Sequence, residues 1–111
     1  MIDEATFRRA SDAALEALKQ SLFNAEEEGG FEAEEKNGVL NVLFEDGAAK
    51  FVFTPQTPVR QIWISARTTS FKLEWSEPTA TFVLPKTGED LKSLTQRLLQ
   101  EQLEDPAITL K

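Results

Sequence analysis

The chain has 111 residues, of which 41% are hydrophobic and 28% charged, a composition of ordinary globular domains and a length that buries a core without covalent staples. It contains neither cysteine nor histidine, which excludes disulfides, thiolate metal sites and thiol nucleophiles and removes the usual general base, leaving carboxylates, hydroxyls and carbonyls as hard ligands. The net charge of −7, from 19 acids and 12 bases, repels phosphate backbones and excludes nucleic acid as an expected partner.

The imbalance is unevenly placed. Residues 1–50 hold 12 acids and 5 bases, whereas residues 51–111 hold 7 of each. No apolar run has membrane-spanning length, and the start, Met1 to Ala10, is too acidic for a signal or transit peptide. The expectation is one soluble, cytoplasmic domain over residues 1–111, without repeats or linkers.

A first helix is expected from Asp3, a candidate N-cap, with Phe7, Ala10, Ala14, Leu18 and Leu22 on one stripe. It should run to about Ala25, because Gly29-Gly30 favours a stop and a turn. Glu26, Glu27 and Glu28 at its end oppose the helix dipole, a local conflict that often marks function.

Two hairpin signals follow, Asn37-Gly38 and Asp46-Gly47. They predict antiparallel strands over Phe31–Lys36, Val39–Glu45 and Lys50–Thr54, with Leu40, Val42, Phe44, Phe51 and Phe53 facing the core. Pro55 and Pro58 are expected to interrupt the sheet over residues 54–59. Alternation resumes in Gln61-Ile62-Trp63-Ile64-Ser65, continues through Phe71, Leu73 and Trp75, and returns after Glu77-Pro78 with Ala80, Phe82 and Leu84 on one face.

Thr87 is the candidate N-cap of a last helix, in a capping box with Asp90. Leu91, Leu94, Leu98 and Leu99 supply its stripe to about Leu103, and Asp105-Pro106 ends it. The order helix, about six strands, helix predicts an α+β fold: a two-layer sandwich with both helices on one side of an antiparallel sheet.

Two features stand out against this frame. Glu26, Glu27, Glu28, Glu32, Glu34 and Glu35 place six carboxylates and no base within ten residues. They are either a solvated face or one acidic ridge that hard cations visit loosely through open oxygen ligands. The other is Trp63, which alternation turns onto the helix-free face beside Gln61 and Ser65; it either covers neighbouring strands or anchors a protein partner. No nucleophile and base pair is present, Gly29-Gly30 alone is no phosphate cradle, and Glu89 and Asp90 read as helix-start charges.

Asn37-Gly38-Val39-Leu40, Gln56-Thr57-Pro58 followed by Gln61-Ile62-Trp63-Ile64-Ser65, Phe71-Lys72-Leu73-Glu74-Trp75 and Thr87-Gly88-Glu89-Asp90-Leu91 together resemble the frataxin family, in its bacterial, CyaY-like form, over nearly the whole chain. Gln56 to Ser65 is the most specific stretch. The resemblance implies a non-enzymatic protein that binds ferrous or ferric iron weakly, without a tightly held cofactor. It also implies docking on the cysteine desulfurase and scaffold complex of iron–sulfur cluster assembly, as iron donor or regulator.

Carried over by position, metal binding falls on Glu26, Glu28, Glu32 and Glu34, with Glu27 and Glu35 beside them. The partner contact falls on Gln56, Gln61 and Trp63, with Lys72 at its margin. Lys19, Gln20, Phe23 and Asn24 stand where relatives often carry further acids, and Thr54-Pro55 replaces a commonly polar pair. The implied protein is a monomer open to iron-dependent self-association, and the short start suits a bacterial cytoplasmic protein better than a trimmed mitochondrial one. The alternative function is a ferroxidase or iron-storage protein that oxidises ferrous iron and oligomerises, although a ferritin-like centre uses histidine ligands absent here.

Overall fold

The computed structural model describes residues 2–28, 30–45, 47, 50–66 and 69–110, Glu28 by its backbone alone. The elements are α1 (Glu4–Ala25), β1 (Phe31–Lys36), β2 (Val39–Phe44), β3 (Lys50–Gln56), β4 (Gln61–Ala66), β5 (Thr69–Ser76), β6 (Thr81–Val83) and α2 (Leu91–Leu103). Six strands pair in sequence order and every pairing is antiparallel. The expected two-layer sandwich is what the chain forms, both helices contributing to one core on one side of the sheet.

Each element follows from local chemistry. Asp3 caps α1, its Oδ1 accepting from the Thr6 amide at 2.7 Å. The buried stripe of α1 is Phe7, Ser11, Leu15, Leu18, Ser21, Leu22 and Ala25, with Ala10 and Ala14 packed at its margin. In the β1–β2 hairpin Asn37 and Gly38 both take positive φ, 54° and 79°, as a two-residue turn with the twist of its strands requires. Asp46 of the second expected turn lies outside the described residues, as does Gly29 of the expected helix stop.

Three expectations are corrected. The sheet does not break at Pro55: β3 runs on to Gln56, with Pro55 opposite Ile62 and Gln56 opposite Gln61. Pairing with β2 ends at Phe53, so Pro55 lies where β3 has a neighbour on one side only, the setting in which a strand tolerates a missing amide. The interruption comes at Thr57–Val59, a single 3-10 turn.

The second correction concerns α2, whose N-cap is Asp90 and not Thr87; Asp90 Oδ1 accepts from the Ser93 amide at 2.8 Å. Thr87 Oγ1 instead accepts from the Glu89 amide at 3.2 Å and donates to its Oε1 at 2.9 Å, a local turn that competes with capping. Thirdly, Ala80 belongs to the turn before β6, exposed with φ 52°, which leaves Phe82 as that strand's buried residue.

The core is aromatic at both ends of the sheet. Phe7 meets Phe82 edge to face at 5.8 Å, Trp75 meets Phe82 at 5.2 Å, and Phe44 meets Phe51 at 4.9 Å. Beyond α2, Ile108 and Leu110 return into the core. Gln100 Nε2 donates to the Ile108 carbonyl at 2.9 Å, and the Leu110 amide donates to Gln96 Oε1 at 2.9 Å. No helix among the described residues is long and apolar enough to cross a membrane.

Candidate functional site: the helix-free sheet face and its acidic edge

Strand register decides which side chains share the uncovered face. Ile62, Ile64, Leu73, Phe51, Phe53, Leu40 and Val42 are buried under the helices, so their strand neighbours form the opposite side. One row across it runs Glu34, Asn41, Val52, Ser65, Ser70. The next holds Thr54, Trp63 and Lys72, and the one beyond it Gln56, Gln61 and Glu74. Gln56, Gln61, Trp63 and Lys72 therefore come together as neighbours on two pairing steps.

Trp63 is half-buried and held on two sides. Its indole Nε1 donates to Gln61 Oε1 at 2.7 Å, and the Lys72 ammonium lies 4.8 Å from the ring centroid, a cation–π distance. Gln61 Nε2 donates in turn to Glu74 Oε2 at 3.2 Å. Beside the ring is a shallow depression of about 120 Å³, lined among others by Val52, Thr54, Gln56, Ser65 and Ser70.

The six glutamates take different surroundings. Glu32 and Glu34 are exposed on the same face as Trp63, opposite Leu43 and Asn41; the rise of a strand puts their Cα atoms about 7 Å apart. Glu35 is the alternate residue and looks to the helix side, where Lys19 Nζ lies 3.0 Å from its Oε1 and 2.8 Å from Glu16 Oε2. The pair with Glu16, then that with Glu35, holds the Lys19 ammonium above its ordinary range, while Lys19 and then Gln20 lower the Glu16 carboxyl.

Glu26 is half-buried and its Oε1 accepts the Ala33 amide at 2.6 Å, which satisfies a donor on the free edge of β1. Glu27 is exposed, and the Glu28 side chain lies outside the described residues. No group of three or more acids with metal-binding placement occurs among the described residues.

Lys19 and Glu74 are the participants that sequence reasoning missed. Lys19 is sixteen residues from Glu35 in the chain. Glu74 has a fainter signal, since Gln61 and Trp63, like Lys72 and Glu74, are two apart on strands; only the register makes them a quartet.

Residues 1–105 match the family described as the frataxin-like domain. The chain belongs to that family. Among its relatives, a Pseudomonas putida protein named iron-sulfur cluster assembly protein CyaY is 34% identical over 103 residues, covering 91% of this chain and 89% of the relative. The Azotobacter vinelandii protein of the same name is 29% identical over 91 residues, covering 80% and 82%. Among solved structures, a frataxin from Psychromonas ingrahamii superposes with a TM-score of 0.75 over 99% of this chain and 97% of that one, at 15% identity, which bears on the fold alone. The family resemblance and the sandwich architecture expected from the sequence are both borne out.

Proposed function

We propose that this protein serves iron–sulfur cluster assembly in the bacterial cytoplasm as a non-enzymatic domain that docks on the cysteine desulfurase and its scaffold and carries iron loosely. The relatives' shared name supports the pathway. The observation that carries the docking reading is the sharing of one sheet face by Glu32, Glu34 and Trp63. Three strand spacings, roughly 14 Å, separate the edge strand from β4, well within the footprint of one protein partner.

On that face the half-buried indole is the anchor, Gln56, Gln61 and Lys72 form its polar rim, and the acids of the β1 edge steer a positively charged partner. Iron, as cargo, meets carboxylates of unequal readiness. Glu32 and Glu34, with Glu27 of the preceding turn, offer open oxygens; Glu26 already accepts a backbone amide, and Glu35 already holds Lys19. Hard ferrous or ferric ions suit such oxygens, and open monodentate ligation makes the binding weak.

Calorimetry against a bacterial cysteine desulfurase at low and high salt tests the reading. Affinity is expected to fall with salt, and to fall further when Glu32 and Glu34 are both changed to Gln. Trp63→Ala is expected to cost about 2 kcal/mol or more of binding with little change in melting temperature. Affinity indifferent to salt and to all three substitutions overturns the proposal.

A further inference from the structure

We infer that Glu74 is a positioning residue, which sets the direction of a hydrogen-bond relay through Gln61 and thereby fixes the indole of Trp63 on the docking face. The functional half of this inference rests on the docking reading above; the structural half does not. An ionised carboxylate only accepts, and an indole N–H only donates. Gln61 stands between them, paired with Glu74 across β4 and β5 and two residues from Trp63 on its own strand. Its amide satisfies both neighbours in one orientation alone, with NH₂ toward Glu74 at 3.2 Å and carbonyl toward the indole at 2.7 Å.

The other orientation sets the Gln61 NH₂ against the indole N–H, donor against donor, and the Gln61 carbonyl against the Glu74 carboxylate, acceptor against acceptor. Glu74 thus makes the Gln61 amide a polar switch locked in one position. Lys72, opposite Trp63 on β5, covers the ring from its face at 4.8 Å, so the ring is fixed in plane by one contact and at its edge by the other. A ring already held in its bound rotamer loses less freedom on docking.

The test uses the full chain labelled with ¹⁵N, reading the Trp63 indole resonance with that of Trp75 as internal reference. In Glu74→Lys the new ammonium, a donor, turns the Gln61 carbonyl toward itself and leaves the Trp63 N–H without its acceptor. Its hydrogen exchange is expected to quicken by about two- to tenfold, the range of one net hydrogen bond, and its resonance to move while that of Trp75 stays. Glu74→Leu, which unlocks the amide without adding charge, should give a smaller change in the same direction. Glu74→Gln, able to present a carbonyl to Gln61, should restore the wild-type signal. An indole signal unchanged in both Glu74→Lys and Glu74→Leu overturns the inference, and Glu74→Leu alone decides it if Glu74→Lys does not fold.

Desulfurase binding is then measured for the same variants. Because the indole signal needs no partner, wild-type protein that fails to bind counts against the docking reading alone. Wild-type protein that binds, with Glu74→Leu matching its affinity despite a freed indole, counts against the positioning role.

Discussion

Lys19 bridges Glu35, on the edge strand, to Glu16, one helical turn back on α1, at 3.0 and 2.8 Å. That contact takes Glu35 out of the run of free carboxylates that sequence proximity suggests, and it divides the acidic segment between the two sides of the sheet.

Removing the bridge should have a pH signature. The Lys19 ammonium is raised above 10.5, so its contribution is complete below that value and is lost as pH climbs through the higher folded value. The Glu16 carboxyl is lowered from 4.5, so its contribution is present above that value and fades as pH falls through the lower folded one. Lys19→Met is therefore expected to melt below the wild type by a constant margin across neutral pH, a margin that narrows at both extremes. A margin independent of pH from acid to alkali would show that the pair contributes nothing electrostatic. The same variant releases Glu16 and Glu35, and ferrous iron should bind it more tightly by anaerobic titration.

A second pair anchors α2. Arg97 grips Glu89 through Nε at 2.7 Å and Nη2 at 2.9 Å, and Glu101 through Nη1 at 3.1 Å. The bidentate contact holds the Glu89 carboxyl below 4.5. Its stabilisation is present above 4.5 and disappears as pH drops through the folded value. Glu89→Gln should cost about 0.5–1 kcal/mol at pH 7, with a denaturation curve that converges on the wild type's in acid. Curves that stay parallel to pH 3 count against it.

Capping of α2 separates two candidate residues three positions apart. Asp90→Ala removes the acceptor for the Ser93 amide and should cost about 1 kcal/mol in urea denaturation. Thr87→Ala loses the two exposed hydrogen bonds it shares with Glu89, one from the amide and one to Oε1, neither of them to an amide of the helix, and should cost no more than about half of that. The reverse ranking restores Thr87 as the cap.

Gly30 combines two demands. Its φ is +94°, and a Cβ there would stand 2.9 Å from Leu103 Cδ2. At Gly38, with φ +79°, a Cβ meets nothing within 4 Å. Gly38→Ala should cost about 1 kcal/mol from backbone strain alone, and Gly30→Ala about 2 kcal/mol, since the Leu103 side chain must move as well. Equal losses in melting temperature would mean that Leu103 yields freely.

Most of the fold was readable from local patterns, because periodicity and turn chemistry act over a few residues. The stripe from Phe7 to Leu22, the Asn37-Gly38 turn and the alternation around Ile62 and Ile64 each specify an element and its buried side. Misreadings arose where a local rule met a neighbour it could not see. Pro55 stays in its strand because β2 has already ended, and Thr87 loses the cap because Asp90 lies closer to the first free amides of α2.

The candidate site was legible as a set of residue types, and its wiring was not. The sequence by itself determined that only hard oxygen ligands are available, that the negative charge is crowded into the first half, and that Trp63 shares no face with Ile62 and Ile64. Only tertiary structure decided that Glu35 belongs to Lys19, Glu26 to the Ala33 amide, and Gln61 to both Trp63 and Glu74. It also decided that Ile108 and Leu110 close the core beyond α2. The physical reason is range: facing direction along a strand or helix repeats every few residues and is written in composition. A hydrogen bond or ion pair between distant segments depends on strand register and helix placement, and these are set by packing the whole core.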